Sequence, residues 1–133
     1  MGKPEFHYDE TTLRESPKNP DQMREHVKGL TSALGATEDL AERVSLLGEI
    51  GVYLRVLGEF ERAEEMLLQA LQLVRSHALG MQREVQQKIR LAHVYQWKRE
   101  FAKSNSLFAE VLLKCETESD ARFYLDFALQ HAG

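Results

Sequence analysis

A single cysteine, Cys115, is all the thiol chemistry in these 133 residues. One thiol cannot close an internal disulfide, so the expected home is a reducing compartment, the cytoplasm. Proline is scarce, and two of the three stand before residue 18. Residues 1–18 are charged and show no clear period, so they read as an extended or partly disordered flexible N-terminal arm. The opening MGKPEFHYDE has no apolar core and is not a signal peptide. No apolar run approaches the roughly 20 residues of a membrane span.

Signatures of chemistry are missing as well. There is no glycine-rich phosphate loop, no nucleophile elbow and no paired-carboxylate signature, so no enzymatic activity is expected. Glu64 and Glu65 are adjacent on a helix and point apart, as on a solvated face. Five histidines are present, yet no two stand at an i, i+4 spacing, and Cys115 has no partner cysteine nearby. No metal and no cofactor are expected. A net charge of −4 gives no global reason to expect nucleic acid.

What the chain does have is a repeat with a spacing of 41 residues. Gly51, Ala92 and Gly133 stand 41 apart, as do Val44 and Val85, Phe60 and Phe101, and Leu71 and Leu112. Repeats of this length mean stacked helical hairpins. Asn19-Pro20 opens a first helix carrying Met23, Val27 and Leu30 and stopping at Gly35. Thr37 caps the next, whose stripe runs Leu40, Val44, Leu47, Ile50, Gly51, Leu54 and Leu57. Gly58 ends it in a left-handed conformation. Phe60, Ala63, Leu67, Ala70, Leu71 and Val74 make the returning stripe. Val85, Ile89, Ala92 and Tyr95 mark a fourth helix, and Phe101, Phe108, Val111, Leu112 and Cys115 a fifth. Ser119 or Asp120 caps a sixth with Phe123 and Phe127. The expected fold is all-α, about six antiparallel helices, with one domain over 19–133 and repeat units about 44–84, 85–125 and a partial 126–133.

These residues resemble the tetratricopeptide repeat family. Gly51, Leu54, Gly58, Phe60, Ala63, Leu67, Ala70 and Leu71 fall where that family places its packing residues. The second repeat keeps Ala92, Tyr95, Phe101, Phe108 and Leu112. It departs at Arg99, in place of the turn glycine, at Ser104, in place of the small alanine, and at Lys88, opposite Leu47. The long unit is similar to that of kinesin light chains and bacterial peptide-sensing regulators. The resemblance implies a right-handed superhelix with a concave groove for a peptide or partner helix, and no catalytic residue. Two further readings come from other classes: the ligand-sensing fragment of a bacterial regulator, and an enzyme or metal protein.

The register of the repeat puts Ser45, Gly48, Val52, Arg55, Gln86, Ile89, His93, Gln96, Trp97, Phe127 and Gln130 on the groove. Tryptophan and arginine are common binding anchors. Trp97 packing against the neighbouring hairpin is the plainer alternative. The first repeat is acidic and the second basic: residues 38–80 carry eight acidic and four basic side chains, residues 81–115 three and seven. Lys88, Arg90, Lys98, Arg99 and Lys103 suit an acidic peptide partner or another copy's acidic repeat, unless they simply form a solvated face. Phe123, Tyr124, Phe127 and Leu129 leave an apolar surface that suits a homodimer, the alternative being a self-capping helix in a monomer.

Overall fold

A computed structural model describes residues 6–9, 14–17 and 19–117. Among these, five α-helices build the body: α1 (Pro20–Ala36), α2 (Leu40–Val56), α3 (Phe60–Ser76), α4 (Met81–Trp97) and α5 (Phe101–Thr117). The sixth helix expected from residue 119 lies outside the described residues. Two short strands precede them, β1 (Phe6–Asp9) and β2 (Arg14–Pro17), paired antiparallel with Phe6 opposite Pro17 and Asp9 opposite Arg14. The arm thus holds a ladder where the sequence suggested no regular structure. Two four-residue strands carry little periodic signal, and Pro17 is tolerated because it ends one of them. β2 runs beside α2.

The repeat is exact in the backbone. Every helix has 17 residues, and α4 and α5 begin 41 residues after α2 and α3. The helices start at Leu40 and Met81, four residues ahead of the unit boundaries read from the sequence. The turns repeat too. Gly58 N–H donates to the Arg55 carbonyl at 3.0 Å and Glu59 N–H to the Leu54 carbonyl at 2.8 Å. In the second repeat Arg99 N–H donates to Gln96 at 3.0 Å and Glu100 N–H to Tyr95 at 2.8 Å. Both turns need a left-handed residue to aim these donors at the last helical carbonyls. Gly58 supplies it at φ +85°, and Arg99 is held there at φ +65° despite its Cβ.

The caps follow from side-chain chemistry. Asn19 accepts from Gln22 N–H at 3.1 Å and so starts α1, with Pro20 next in line. Thr37 is not the cap of α2. That place belongs to Asp39, whose carboxylate accepts from Glu42 N–H at 3.0 Å. A carboxylate also suits the positive end of the helix. Thr37 instead accepts from Asp39 N–H at 3.2 Å and donates to Glu42 at 3.0 Å.

Consecutive helices pack against one another, and α2 also touches α4. α2 and α4 therefore form an inner layer, with α1, α3 and α5 behind it. The main core joins Met23 and Val27 of α1 to Leu54, Leu67, Leu71, Leu91 and Val94. Each large aliphatic side chain fully buried here contributes about 1.5–3 kcal/mol. Two satellites flank it: Val44, Leu47, Ala70 and Val74 at one end of the first hairpin, and Val85, Ile89, Ala92, Phe108 and Val111 in the second. Gly51 lies at a tight contact between α2 and α3. A Cβ there would stand 2.7 Å from Leu67 Cγ, so no side chain fits without displacing α3. No helix among the described residues is long and apolar enough to cross a membrane.

Candidate functional site

α2 meets α1, α3 and α4, and α4 meets α2, α3 and α5; the side of each that is turned from these described helices is the inner face. The side chains on that side decide what the inner face can do. Ser45, Glu49 and Val52 stand there on α2, and Gln86, Arg90 and His93 on α4; all are exposed or partly buried. These are the same register positions, 41 residues apart.

Several expected groove residues do lie on or near this face. Val52, His93, Gln96 and Trp97 are partly buried and Gln86 is exposed. Two others do not. Ile89 is 2% exposed and packs with Val85, Ala92, Phe108 and Val111 between α4 and α5. Gly48, its counterpart 41 residues earlier, is buried against Gln87 and Arg90. The open stripe runs one residue further round each helix, through positions 49 and 90 rather than 48 and 89. On a helix of 3.6 residues per turn one position is about 100°, enough to exchange core for surface. Arg90 and Glu49 are the residues that the sequence register missed. A charge at both equivalent positions, each beside a small or aliphatic neighbour, is the signal that marks them. Phe127 and Gln130, and the dimer candidates Phe123, Tyr124, Phe127 and Leu129, lie outside the described residues.

Trp97 is neither purely groove nor purely core. Its ring meets Phe60 edge-on at 6.2 Å between centroids, and the Arg55 guanidinium lies over it at 4.5 Å. It therefore ties the end of the second repeat's inner helix to the turn of the first. Arg55 is 6% exposed, so its charge is spent mainly against this ring rather than offered to a ligand. Phe60 gains its cover from Trp97. The equivalent Phe101 was expected to plug its own turn, yet it is 53% exposed, and no described residue covers it as Trp97 covers Phe60. His93 packs edge-on against Phe108 at 5.9 Å, which fixes its ring on α4.

The basic patch expected on the second repeat is dispersed. Lys98 reaches Glu61 and Glu64 at 2.9 Å and Glu100 at 3.3 Å. Its hydrogen bonds to Glu61 and Glu64 outweigh the cost of desolvation and push its ammonium above the usual lysine range. Glu64 also accepts from the Tyr95 hydroxyl at 3.2 Å, so it is a link between α3 and α4 rather than part of a solvated face. Burial, then the Glu64 charge, pushes the Tyr95 phenol up to about 12. Lys88 is buried and pairs with Glu84 at 3.0 Å and Glu110 at 3.7 Å, while Lys114 also bonds Glu84. Burial alone would raise the Glu84 carboxyl; the hydrogen bonds of Lys114 and Lys88 overcome it and hold it below the ordinary range. Lys103 pairs with Glu100 at 3.3 Å. Of the patch, Arg99 projects from the turn and Arg90 remains on the inner face.

Arg90 is therefore distinctive. Its guanidinium lies over Gly48, with Nη1 2.3 Å from where a Cβ would be. Desolvation lowers its pKa, opposed by the charge of Glu49, and no hydrogen bond reaches it among the described residues. No group of three His, Cys, Asp or Glu side chains suited to a metal occurs among the described residues. The side chain of Cys115 lies outside them.

No protein family, curated protein or solved structure matches the chain.

Proposed function

We propose that the chain is a non-enzymatic interaction module, tetratricopeptide-like in its right-handed stacking, that binds a peptide or partner helix across the inner face of α2 and α4. The observation that carries this reading is the pairing of an exact 41-residue backbone repeat with an inner face that holds the partly buried Val52, Arg90, His93, Gln96 and Trp97. Stacked helical repeats present such a side as an extended binding surface. An aromatic ring and a guanidinium among aliphatic and amide groups give such a surface its anchors. A homodimer through residues 119–133 is part of the same proposal, and a single monomer species in sedimentation velocity across dilution removes it.

Capture on the immobilised protein followed by mass spectrometry tests the module. A stoichiometric protein or peptide supports it, and turnover or a bound metal overturns it. Trp97→Ala should weaken that partner by about 1–2 kcal/mol while leaving the helical circular-dichroism signal nearly intact. Unfolding without a separate loss of binding would make Trp97 an inter-repeat packing residue alone.

A further inference from the structure

The seam between α2 and α4 holds two polar groups that no described residue hydrogen-bonds. Gln87 is 1% exposed, and its Oε1 has no hydrogen-bond partner. The Arg90 guanidinium, partly buried one turn along the same helix, receives charge from Glu49 but no hydrogen bond among the described residues. Both converge on Gly48. A Cβ at that glycine would meet Arg90 Nη1 at 2.3 Å and the Gln87 amide at 2.5 and 2.9 Å. The missing side chain of Gly48 is what admits them. Leaving buried polar groups unpaired is costly, so such a cluster calls for an explanation.

We propose that Arg90, seated on the Gly48 shelf and backed by Gln87, is the receptor for one carboxylate side chain of an extended peptide bound on the inner face. The inference rests on the binding-face reading above and names the chemistry that the face selects. Charge decides the occupant. The neighbouring lysines are engaged by the protein's own acids, Lys98 by Glu61, Glu64 and Glu100 and Lys88 by Glu84 and Glu110. Arg90 keeps its donors for a ligand. A guanidinium presents parallel N–H groups that match the two oxygens of a carboxylate, and partial burial makes that pairing stronger than on an open surface. Glu49 lies within electrostatic reach and opposes an incoming acid, so it limits affinity without closing the seat. Gln87 is a positioning residue: its buried amide shares the space over Gly48 with the guanidinium and limits where that group can sit.

The test uses the full chain and two labelled peptides, one alternating leucine with glutamate and one alternating leucine with glutamine. Fluorescence anisotropy reads binding, and the Arg90 side-chain Nε–Hε resonance reads contact. The glutamate peptide should bind at least roughly tenfold more tightly and shift that resonance. Arg90→Gln should abolish the preference. Gly48→Ala should reduce the preference too, because its Cβ displaces only the ends of two flexible side chains and the fold survives. Glu49→Gln should tighten the glutamate peptide. Equal binding of both peptides to the native chain, or an Arg90→Gln variant that keeps the preference, overturns the carboxylate seat while the binding face stands. Binding of neither peptide overturns both.

Discussion

At position 47 the first repeat buries a leucine; at position 88 the second buries a lysine, inside helices of the same length joined by the same turns. Leu47 sits among Val44, Ala70 and Val74. Lys88 sits with Glu84, Glu110 and, through Glu84, Lys114. One backbone thus tolerates an apolar and an ionic filling at the same place. The condition is that the second filling comes complete, because a buried charge is acceptable only with its partners.

That difference makes the largest prediction. Leu47→Lys carries the charge into the first repeat without the acids and should cost at least about 3 kcal/mol in urea melts. The reverse change, Lys88→Leu, should be neutral or stabilising, because a hydrophobe of similar volume often replaces a buried ion pair at no loss. Comparable losses from both would mean that the ionic cluster is a net stabiliser. The cluster also sets acid behaviour. The Glu84 carboxyl is depressed in the folded state, so its contribution is present above its unfolded value and is lost as pH falls through the folded one. Lys88→Leu should shrink that acid loss without removing it, since Lys114 remains.

Next in size is the close contact of the first hairpin. Gly51→Leu should cost about 1–3 kcal/mol or more, because Leu67 already occupies the space. A Cβ at Gly80 meets no atom within 4 Å, so Gly80→Leu is opposed mainly by the φ of +109° and should cost less. Equal melting shifts would place the tight approach of the repeat elsewhere.

The turns give a smaller, opposite-signed pair. Arg99→Gly relieves a left-handed side chain and should stabilise by about 0.5–1 kcal/mol, while Gly58→Arg should destabilise by a similar amount. Failure of the two to differ in sign would show that Arg99 makes a compensating contact.

The smallest effect is at high pH. The Tyr95 phenol is pushed up to about 12 by burial and Glu64, against an ordinary value of 10.0. Between those values the unfolded chain has lost the proton and the folded one has kept it, so stability should fall as pH rises through that window. Tyr95→Phe should flatten the decline and cost about 1 kcal/mol at neutral pH through the lost bond to Glu64. A slope that survives the substitution belongs to another group, Tyr53 being the nearest candidate, since burial and Glu49 raise it too.

Much of this was legible in the sequence because the period of the repeat is a strong constraint. Gly51 and Ala92, Phe60 and Phe101, Gly58 and Arg99 announce where helices approach and turn. The four helices α2 to α5 follow from that alone, while α1 was marked by its Asn19-Pro20 start. What the period hides is everything that depends on partners distant in the chain. Lys98 finds Glu64 across 34 residues, and nothing at either position marks the pairing. The inner face failed at one point for a geometric reason. The inner helices are covered on several sides, so their apolar residues do not form one narrow stripe. A register drawn through Gly48 and Ile89 then differs from the open one by a single step. Only the contacts of α5 with Ile89 and of Arg90 with Gly48 separate the two.

The equal length of the helices carries a consequence for any ligand. Neighbouring helices stand about 8–10 Å apart. An extended chain advances about 3.3 Å per residue and turns successive side chains to opposite sides. A peptide crossing from α2 to α4 therefore spends about three residues per repeat, an odd number. A ligand side chain that points into the protein at one repeat has its counterpart pointing away at the next. On the proposed binding face a bound strand would therefore meet successive repeats in alternating phase.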